Sequence, residues 1–181
     1  MRPPRTAIPL PDSIVVPDDN RILYYRRDRT MYRFLSHFYA LPIEVDGENW
    51  MTVEHYYQAQ KSWDDAYREA IRNALSAEFA KQLAADPGAP SKFSKRSWFR
   101  RHAGEPRQDW NDVKLDVMRQ GDLAKFSQHE VLLKLLLATG DAEIVEDSES
   151  EPFWGVGHDG QGFNWAGRIL MEVRAKLASK G

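Results

Sequence analysis

A chain of 181 residues with 42% apolar side chains falls in the size range of one domain and can bury a core of its own. Lys and Arg number 25 against 27 Asp and Glu, so the formal charge of -2 gives no global basic field for non-specific nucleic-acid binding and leaves only a small or localised anionic ligand open. Cys is absent and the five His stand apart without zinc-ligand spacing, which excludes a disulfide scaffold and thiolate chemistry and points to no metal.

Residues 1–19 hold five of the ten prolines, a composition that favours extended backbone, and are expected to form a tail ahead of a domain over 20–181. The start of the chain lacks an apolar signal segment and no apolar run approaches the ~20 residues of a membrane span. A soluble, cytoplasmic protein is the expectation.

Arg21 to Tyr25 is β-prone, and Ile43 to Trp50 places Asp46-Gly47 between two short strand candidates, a hairpin signal. The segment Phe34-Leu35-Ser36-His37-Phe38-Tyr39 reads either as an irregular strand that buries its rings or as a pocket wall presenting Ser36 and Phe38. Helices are expected from Val53 to about Trp63, from Ala66 to Ala74, and from Ala77 to Ala85, with Asp86-Pro87-Gly88 as the stop. A basic loop follows over Ser91 to Arg107. Asp109 to about Phe126 reads as a long helix with Trp110, Val113 and Val117 on one side, and Ser127-Gln128-His129-Glu130 as a capping box for the next helix, closed at Gly140. Ala142 to Glu146 reads as a strand, and Ala166 to Leu177 as a helix with Leu170, Val173 and Leu177 inward. The pattern predicts a helix-rich α+β domain with a small antiparallel sheet.

Two clusters carry the chemistry. On a helix running through residue 61, Glu54, Gln58 and Lys61 stand at i, i+4 and i+7 and share a face. That stripe reads either as a solvated face, capped by Thr52, or as an active-site face made apolar by Trp50, Tyr56, Tyr57 and Trp63. In the second case desolvation disfavours the charged form of Lys61 and exposes a nucleophilic amine, with Glu54 as proton shuttle. His55 points elsewhere and suits a hydrogen bond at the edge of the core. In the second cluster, Gly155, Gly157, Gly160 and Gly162 permit sharp turns that bring backbone N–H groups toward an anion or sugar, although the spacing matches neither a dinucleotide fingerprint nor a P-loop. Trp154, Phe163 and Trp165 offer flat faces for a base, and Asp159 and Asn164 hydrogen-bond partners for ribose, or else all five serve packing and turns. Lys92, Lys95, Arg96, Arg100, Arg101 and Arg107, around Trp98 and Phe99, read as a phosphate-attracting segment or a solvated basic loop.

The stretches Phe34 to Tyr39, Glu54 to Lys61, Arg107 to Trp110, Phe153 to Asn164 and Leu170 to Arg174 together resemble the YbiA-like, or NADAR, family of N-glycosidases over about residues 22–177. The resemblance implies that family's fold and cleavage of the bond between ribose C1 and an exocyclic amine of a base, with no cofactor. Two substrate groups are associated with such enzymes: phosphoribosylamino-pyrimidine intermediates of riboflavin synthesis, and ADP-ribosyl-guanine in nucleic acid. It further implies Lys61 as nucleophile and Glu54 as acid/base, with Gln58 orienting substrate or water. Trp154, Gly155, Gly157, Asp159, Gly160 and Asn164 become the substrate loop, Ser36 and Phe38 lie across the pocket, and Arg107 lies near phosphate. His37 departs from the family's Asn, Glu151 from its Asp, and Trp165-Ala166 from a polar residue and Leu. Rival readings are an acid/base glycosidase in which Lys61 only binds substrate, and a non-hydrolytic ADP-ribose-binding module.

Overall fold

The computed structural model describes residues 10–25, 30–85, 97–102 and 106–179. Residues 1–9 of the expected tail, the stop signal Asp86-Pro87-Gly88, and residues 91–96 and 103–105 of the basic segment lie outside these. The described chain gathers into two compact units, one from residues 10–36 and 129–179 and the other from residues 37–128. Among the described residues no helix is long and apolar enough to cross a membrane. The class is α+β, as the sequence pattern predicts.

In the first unit, β1 (Arg21–Tyr24) pairs in parallel with β4 (Glu143–Glu146), in register from Arg21 opposite Glu143 to Tyr24 opposite Glu146. Only an antiparallel sheet was expected. The parallel partner comes from the far end of the chain, so no turn between the two strands announces it. A 3-10 helix over Thr30–Leu35 buries Phe34 and Leu35. Helix α7 (Trp165–Ala178) packs on β4 and buries Ile169, Leu170, Val173 and Leu177, and α6 (Glu130–Leu137) packs on α7 and buries Leu132, Leu135 and Leu136. Gly167 sets the approach of α7, since a Cβ there would lie 2.0 Å from the Ile144 carbonyl oxygen. Arg174 is buried, where its Nη1 donates to Thr139 Oγ1 at 2.7 Å and to the Ala142 carbonyl at 2.9 Å, tying α7 to the turn before β4.

The second unit begins with the predicted hairpin, β2 (Ile43–Val45) against β3 (Glu48–Trp50). Its turn residues Asp46 and Gly47 both have positive φ, 54° and 76°, the two left-handed positions that a tight turn with the twist of its strands requires. Helix α1 (Val53–Ala59) follows, and all seven of its residues are buried. Around it pack α2 (Asp65–Arg72), α3 (Ala77–Leu83) and the long α5 (Trp110–Gln128). Side-chain oxygens of Thr52, Asp64 and Ser76 accept the N–H of His55, Tyr67 and Phe79 at the starts of α1, α2 and α3. A short α4 (Trp98–His102) stands where a continuous loop was expected; it buries Phe99 against the Tyr67 ring at 4.8 Å. Helix α5 crosses α1 at Gly121, whose Cβ would lie 2.9 Å from Val53 Cγ1.

Two local expectations fail. The deeply buried face of α5 is Met118, Gly121, Asp122, Lys125 and Phe126 rather than Trp110, Val113 and Val117, because α1 packs against its second half. Ser127 does not cap α6: α5 continues through Gln128, His129 takes the N-cap position without a side-chain bond, and the Ser127 hydroxyl donates to the Ala124 carbonyl. Of the two readings of Asn164, ribose partner or packing, the hydrogen bonds favour packing: its carboxamide accepts the Glu146 N–H at 3.0 Å and donates to the Ile144 carbonyl at 2.9 Å. It also sits at φ 51°, a left-handed conformation that Asn tolerates better than most residues. Asn164→Ala is therefore expected to lower stability by about 2–4 kcal/mol, from two unpaired buried backbone groups and a strained φ. Urea unfolding checks this, and substrate affinity of the folded variant should not fall.

Candidate active site

Glu54 and Gln58 keep the predicted relation. They lie one turn apart on α1, and Gln58 Nε2 donates to Glu54 Oε1 at 2.7 Å with both side chains buried. Lys61 does not stand at i+7 of the same helix. Helix α1 ends at Ala59 with Gln60 as its cap, and Lys61 follows in a tighter turn whose N–H bonds to the Gln58 carbonyl at 3.2 Å. The cause is tertiary: the Lys61 carbonyl accepts the Arg107 N–H at 2.7 Å, and Asp64 starts α2 only a few residues on. The Lys61 amine donates to the Ala84 carbonyl at the end of α3 at 3.3 Å, and lies 5.9 Å from the centre of the Trp110 ring.

Gln58 carries the most informative atom of this site. Its Oε1 is buried and has no hydrogen-bond partner, while Nε2 is held by Glu54. Rotating the carboxamide would turn that oxygen toward the Glu54 oxygen instead, placing two acceptors together. A buried acceptor without a donor costs free energy unless a ligand or water supplies one.

The surroundings differ from those expected. The rings near Lys61 are Trp110 and, packed on it at 4.9 Å, Tyr57. Trp50 lies instead under the guanidinium groups of Arg68 and Arg72, which share Glu48. The Tyr56 hydroxyl donates to Gln120 Oε1 at 2.7 Å; burial first, then the Asp46 charge, push its pKa up to about 12. Trp63 is 69% exposed and does not join the buried surroundings of the Glu54–Gln58 pair. His55 matches its expected structural role, with its ring nitrogens on Thr52 Oγ1 at 2.8 Å and the Ala74 carbonyl at 3.1 Å, and burial holds its pKa below the ordinary range. The Arg107 fork is closed on Asp109, with Nε and Nη2 on its two carboxylate oxygens, so its charge is already matched and not presented to phosphate alone. Phe38 is partly exposed, with the Lys81 amine 5.9 Å from its ring. Of the other basic residues of that segment, Lys92, Lys95 and Arg96 lie outside the described residues.

The glycine-rich loop and Ser36 belong to the other unit. There the N–H groups of Gly155, Gly157 and Gly162 bond to the carbonyls of Glu151, Ser148 and Val156 at 2.7–3.0 Å. That of Gly160 faces the Gly157 carbonyl at 3.5 Å. These amides fold the loop on itself rather than forming an open anion cradle, the tight-loop alternative of the glycine pattern. Asp159 Oδ1 accepts the Gln161 N–H at 3.0 Å and so serves a turn. Gly155 is required sterically, since a Cβ would lie 2.5 Å from the Glu146 carbonyl oxygen. Trp154 is half-buried with its edge against Phe153, at 5.1 Å between ring centres. Ser36 is half-buried, its N–H on the Arg33 carbonyl. Glu151, one of the departures from the family pattern, serves the loop through its carbonyl, which the exchange for Asp leaves in place.

Sequence reasoning missed Asp122 and Lys125. Both are buried on α5, and Asp122 Oδ2 lies 3.0 Å from Nε2 of buried His37, whose carbonyl in turn accepts the Glu54 N–H at 3.1 Å. His37, noted only as a departure from the family's Asn, thus links α5 to the first turn of α1. The available signal was the helical spacing of Met118, Asp122 and Lys125, two charged groups inside an apolar stripe. Among the described residues no cluster of acidic and His side chains could hold a metal ion.

The NADAR domain family matches residues 23–178. This chain belongs to the NADAR family. It is 43% identical over 147 residues to the N-glycosidase YbiA of Escherichia coli K12, covering 81% of this chain and 82% of that protein. An N-glycosidase of Nostoc punctiforme is 35% identical over 158 residues, covering 86% and 92%. The NMR structure of E. coli YbiA superposes with a TM-score of 0.72 at 38% identity, over 99% of this chain and 93% of that one. At this similarity the NADAR chain is an enzyme of the N-glycosidase type, not a non-hydrolytic binding module.

Burial of Lys125 brings its pKa from the ordinary 10.5 down to about 8, against an opposing pull from Asp122. The unfolded chain therefore holds a proton that the folded one lacks between those values, so stability rises with pH from about 8 to 10.5 and the penalty stands in full below 8. Lys125→Met is expected to remove that rise, about 3 kcal/mol, as read by urea unfolding at steps across the interval.

Proposed function

We propose that this NADAR enzyme hydrolyses the bond between ribose C1 and an exocyclic amine of a base, with Lys61 as nucleophile and Glu54 as acid/base. The supporting observation is the buried Glu54–Gln58 pair with its unpartnered Gln58 Oε1, on the same short stretch as the Lys61 amine. The sugar ring opens to an imine between C1 and the base nitrogen. The neutral Lys61 amine adds to C1, Glu54 delivers a proton to the departing base amine, and a Schiff base remains. Water then adds to C1 with its proton passing to Glu54, and the carbon–nitrogen bond to Lys61 breaks, freeing the sugar and restoring the amine. Gln58 Oε1 would accept from the water or from a sugar hydroxyl. Phe38 is proposed as a substrate contact on the family resemblance alone.

Two substrate classes fit this linkage. A riboflavin biosynthesis protein of Vibrio vulnificus is 40% identical over 156 residues, 38% of its own length, and supports a phosphoribosylamino-pyrimidine. ADP-ribosyl-guanine presents the same bond. Lys61→Ala is expected to abolish release of free base from either, and borohydride added during turnover to leave an adduct on Lys61. Normal turnover by the variant would dismiss the nucleophile. The position of Lys61 beyond the end of α1 favours one alternative, in which Glu54 activates water directly. No adduct together with an inactive Glu54→Gln variant would establish that route.

A further inference from the structure

The loop leaving Lys61 presents a large ring to solvent. Trp63, two positions on, is 69% exposed. It is nonetheless held in place, because the Arg107 guanidinium lies 4.1 Å from its ring centre and is itself fixed by Asp109 and, through its backbone N–H, by the Lys61 carbonyl. The Arg107 side chain is 10% exposed, so the indole and the carboxylate cover it. The result is a flat aromatic surface backed by a cation, anchored to the same residue that carries the proposed nucleophile.

Exposure on this scale excludes Trp63 from the enclosed part of a pocket where the scissile bond reacts. It suits a flat group that lies outside the reacting centre but belongs to the same ligand. With Arg107 already matched by Asp109, the surface offers stacking more than charge, and the overall charge of -2 argues against tracking a long anionic strand. We infer that Trp63 is the stacking platform for the distal nucleobase of a dinucleotide-sized substrate whose other end reaches Lys61. This rests on the proposed function and narrows it. A phosphoribosylamino-pyrimidine has one base, at the bond being broken, and leaves Trp63 idle; an ADP-ribosylated guanine brings an adenine as its second base.

The test is binding, so it is independent of which residue attacks. ADP-ribose and ribose 5-phosphate are titrated calorimetrically into the unaltered protein and into Trp63→Ala and Trp63→Phe. A lost base stack corresponds to a weakening of ADP-ribose on the order of ten- to a hundredfold in Trp63→Ala, with most affinity kept in Trp63→Phe and ribose 5-phosphate changed by less than about twofold. Equal affinity of all three proteins for ADP-ribose overturns the inference, as does an equal loss for both ligands. A further arm compares free ADP-ribosylated guanosine with the same group in an oligonucleotide: a Trp63→Ala effect confined to the oligonucleotide would assign the ring to a flanking base and overturn the adenine assignment. A negative outcome in any arm leaves borohydride trapping at Lys61 untouched.

Discussion

Helix α1 is buried on every side, and each polar group it carries must find its partner inside the protein or in a ligand. Its residues meet that demand in different ways. His55 is closed by Thr52 and Ala74, the Tyr56 hydroxyl by Gln120, and Glu54 by Gln58. The Gln58 carbonyl accepts both the Tyr67 hydroxyl at 2.7 Å and the Lys61 N–H at 3.2 Å. What the protein leaves unmatched on this helix is one acceptor, Gln58 Oε1, beside an acid. A helix of seven residues has little stability of its own, so it exists here because α2, α3 and α5 cover it, and the same covering makes the leftover acceptor costly.

The strands pose the opposite difficulty. Each sheet has two strands, too few to be stable alone and with backbone groups open at the edges. In both units a side-chain amide stands in for part of a third strand. Gln128 donates to the Glu44 carbonyl at 2.7 Å and accepts the Glu44 N–H at 2.9 Å, while Asn164 does the same between Ile144 and Glu146 on β4. Close helix approach completes the cover: Gly167 lets α7 lie against the backbone of β4, and Gly121 lets α5 lie against α1. These residues read in the sequence as cap, loop and helix-interior positions. Their actual work is to seal strands and surfaces that are distant along the chain.

This sets what was legible beforehand. The hairpin, the Thr52 cap and the inner face of α7 follow from neighbours in sequence, and they stand where the pattern put them. The end of α1 does not, because it is decided by Arg107 bonding to the Lys61 carbonyl, a contact no local propensity encodes. The parallel pairing of β1 with β4, the folding of the glycine loop on its own carbonyls, and the turn of Trp63 outward are non-local in the same way. At the candidate site, helical spacing placed Glu54 and Gln58 one turn apart, where their side chains bond. The spacing of Asp122 and Lys125 marked two charges in an apolar stripe but not the link of Asp122 to Glu54, which passes through His37 and its backbone carbonyl.

Ending α1 before Lys61 has a chemical consequence. On a continued helix the amine would rise along the same buried stripe as Glu54 and share its enclosure. The tighter turn instead carries Lys61 to the edge, where its amine meets the Ala84 carbonyl and the Trp110 ring, while its backbone remains tied to Gln58 on one side and Arg107 on the other. Gln58 thus holds the acid with its side chain and the lysine with its main chain. The proposed chemistry, with a carboxyl that keeps or gives a proton and an amine that reaches a sugar carbon, is served by giving the two different enclosure on one support. The single residue between them fixes the separation, so displacement of Gln58 would disturb both partners at once.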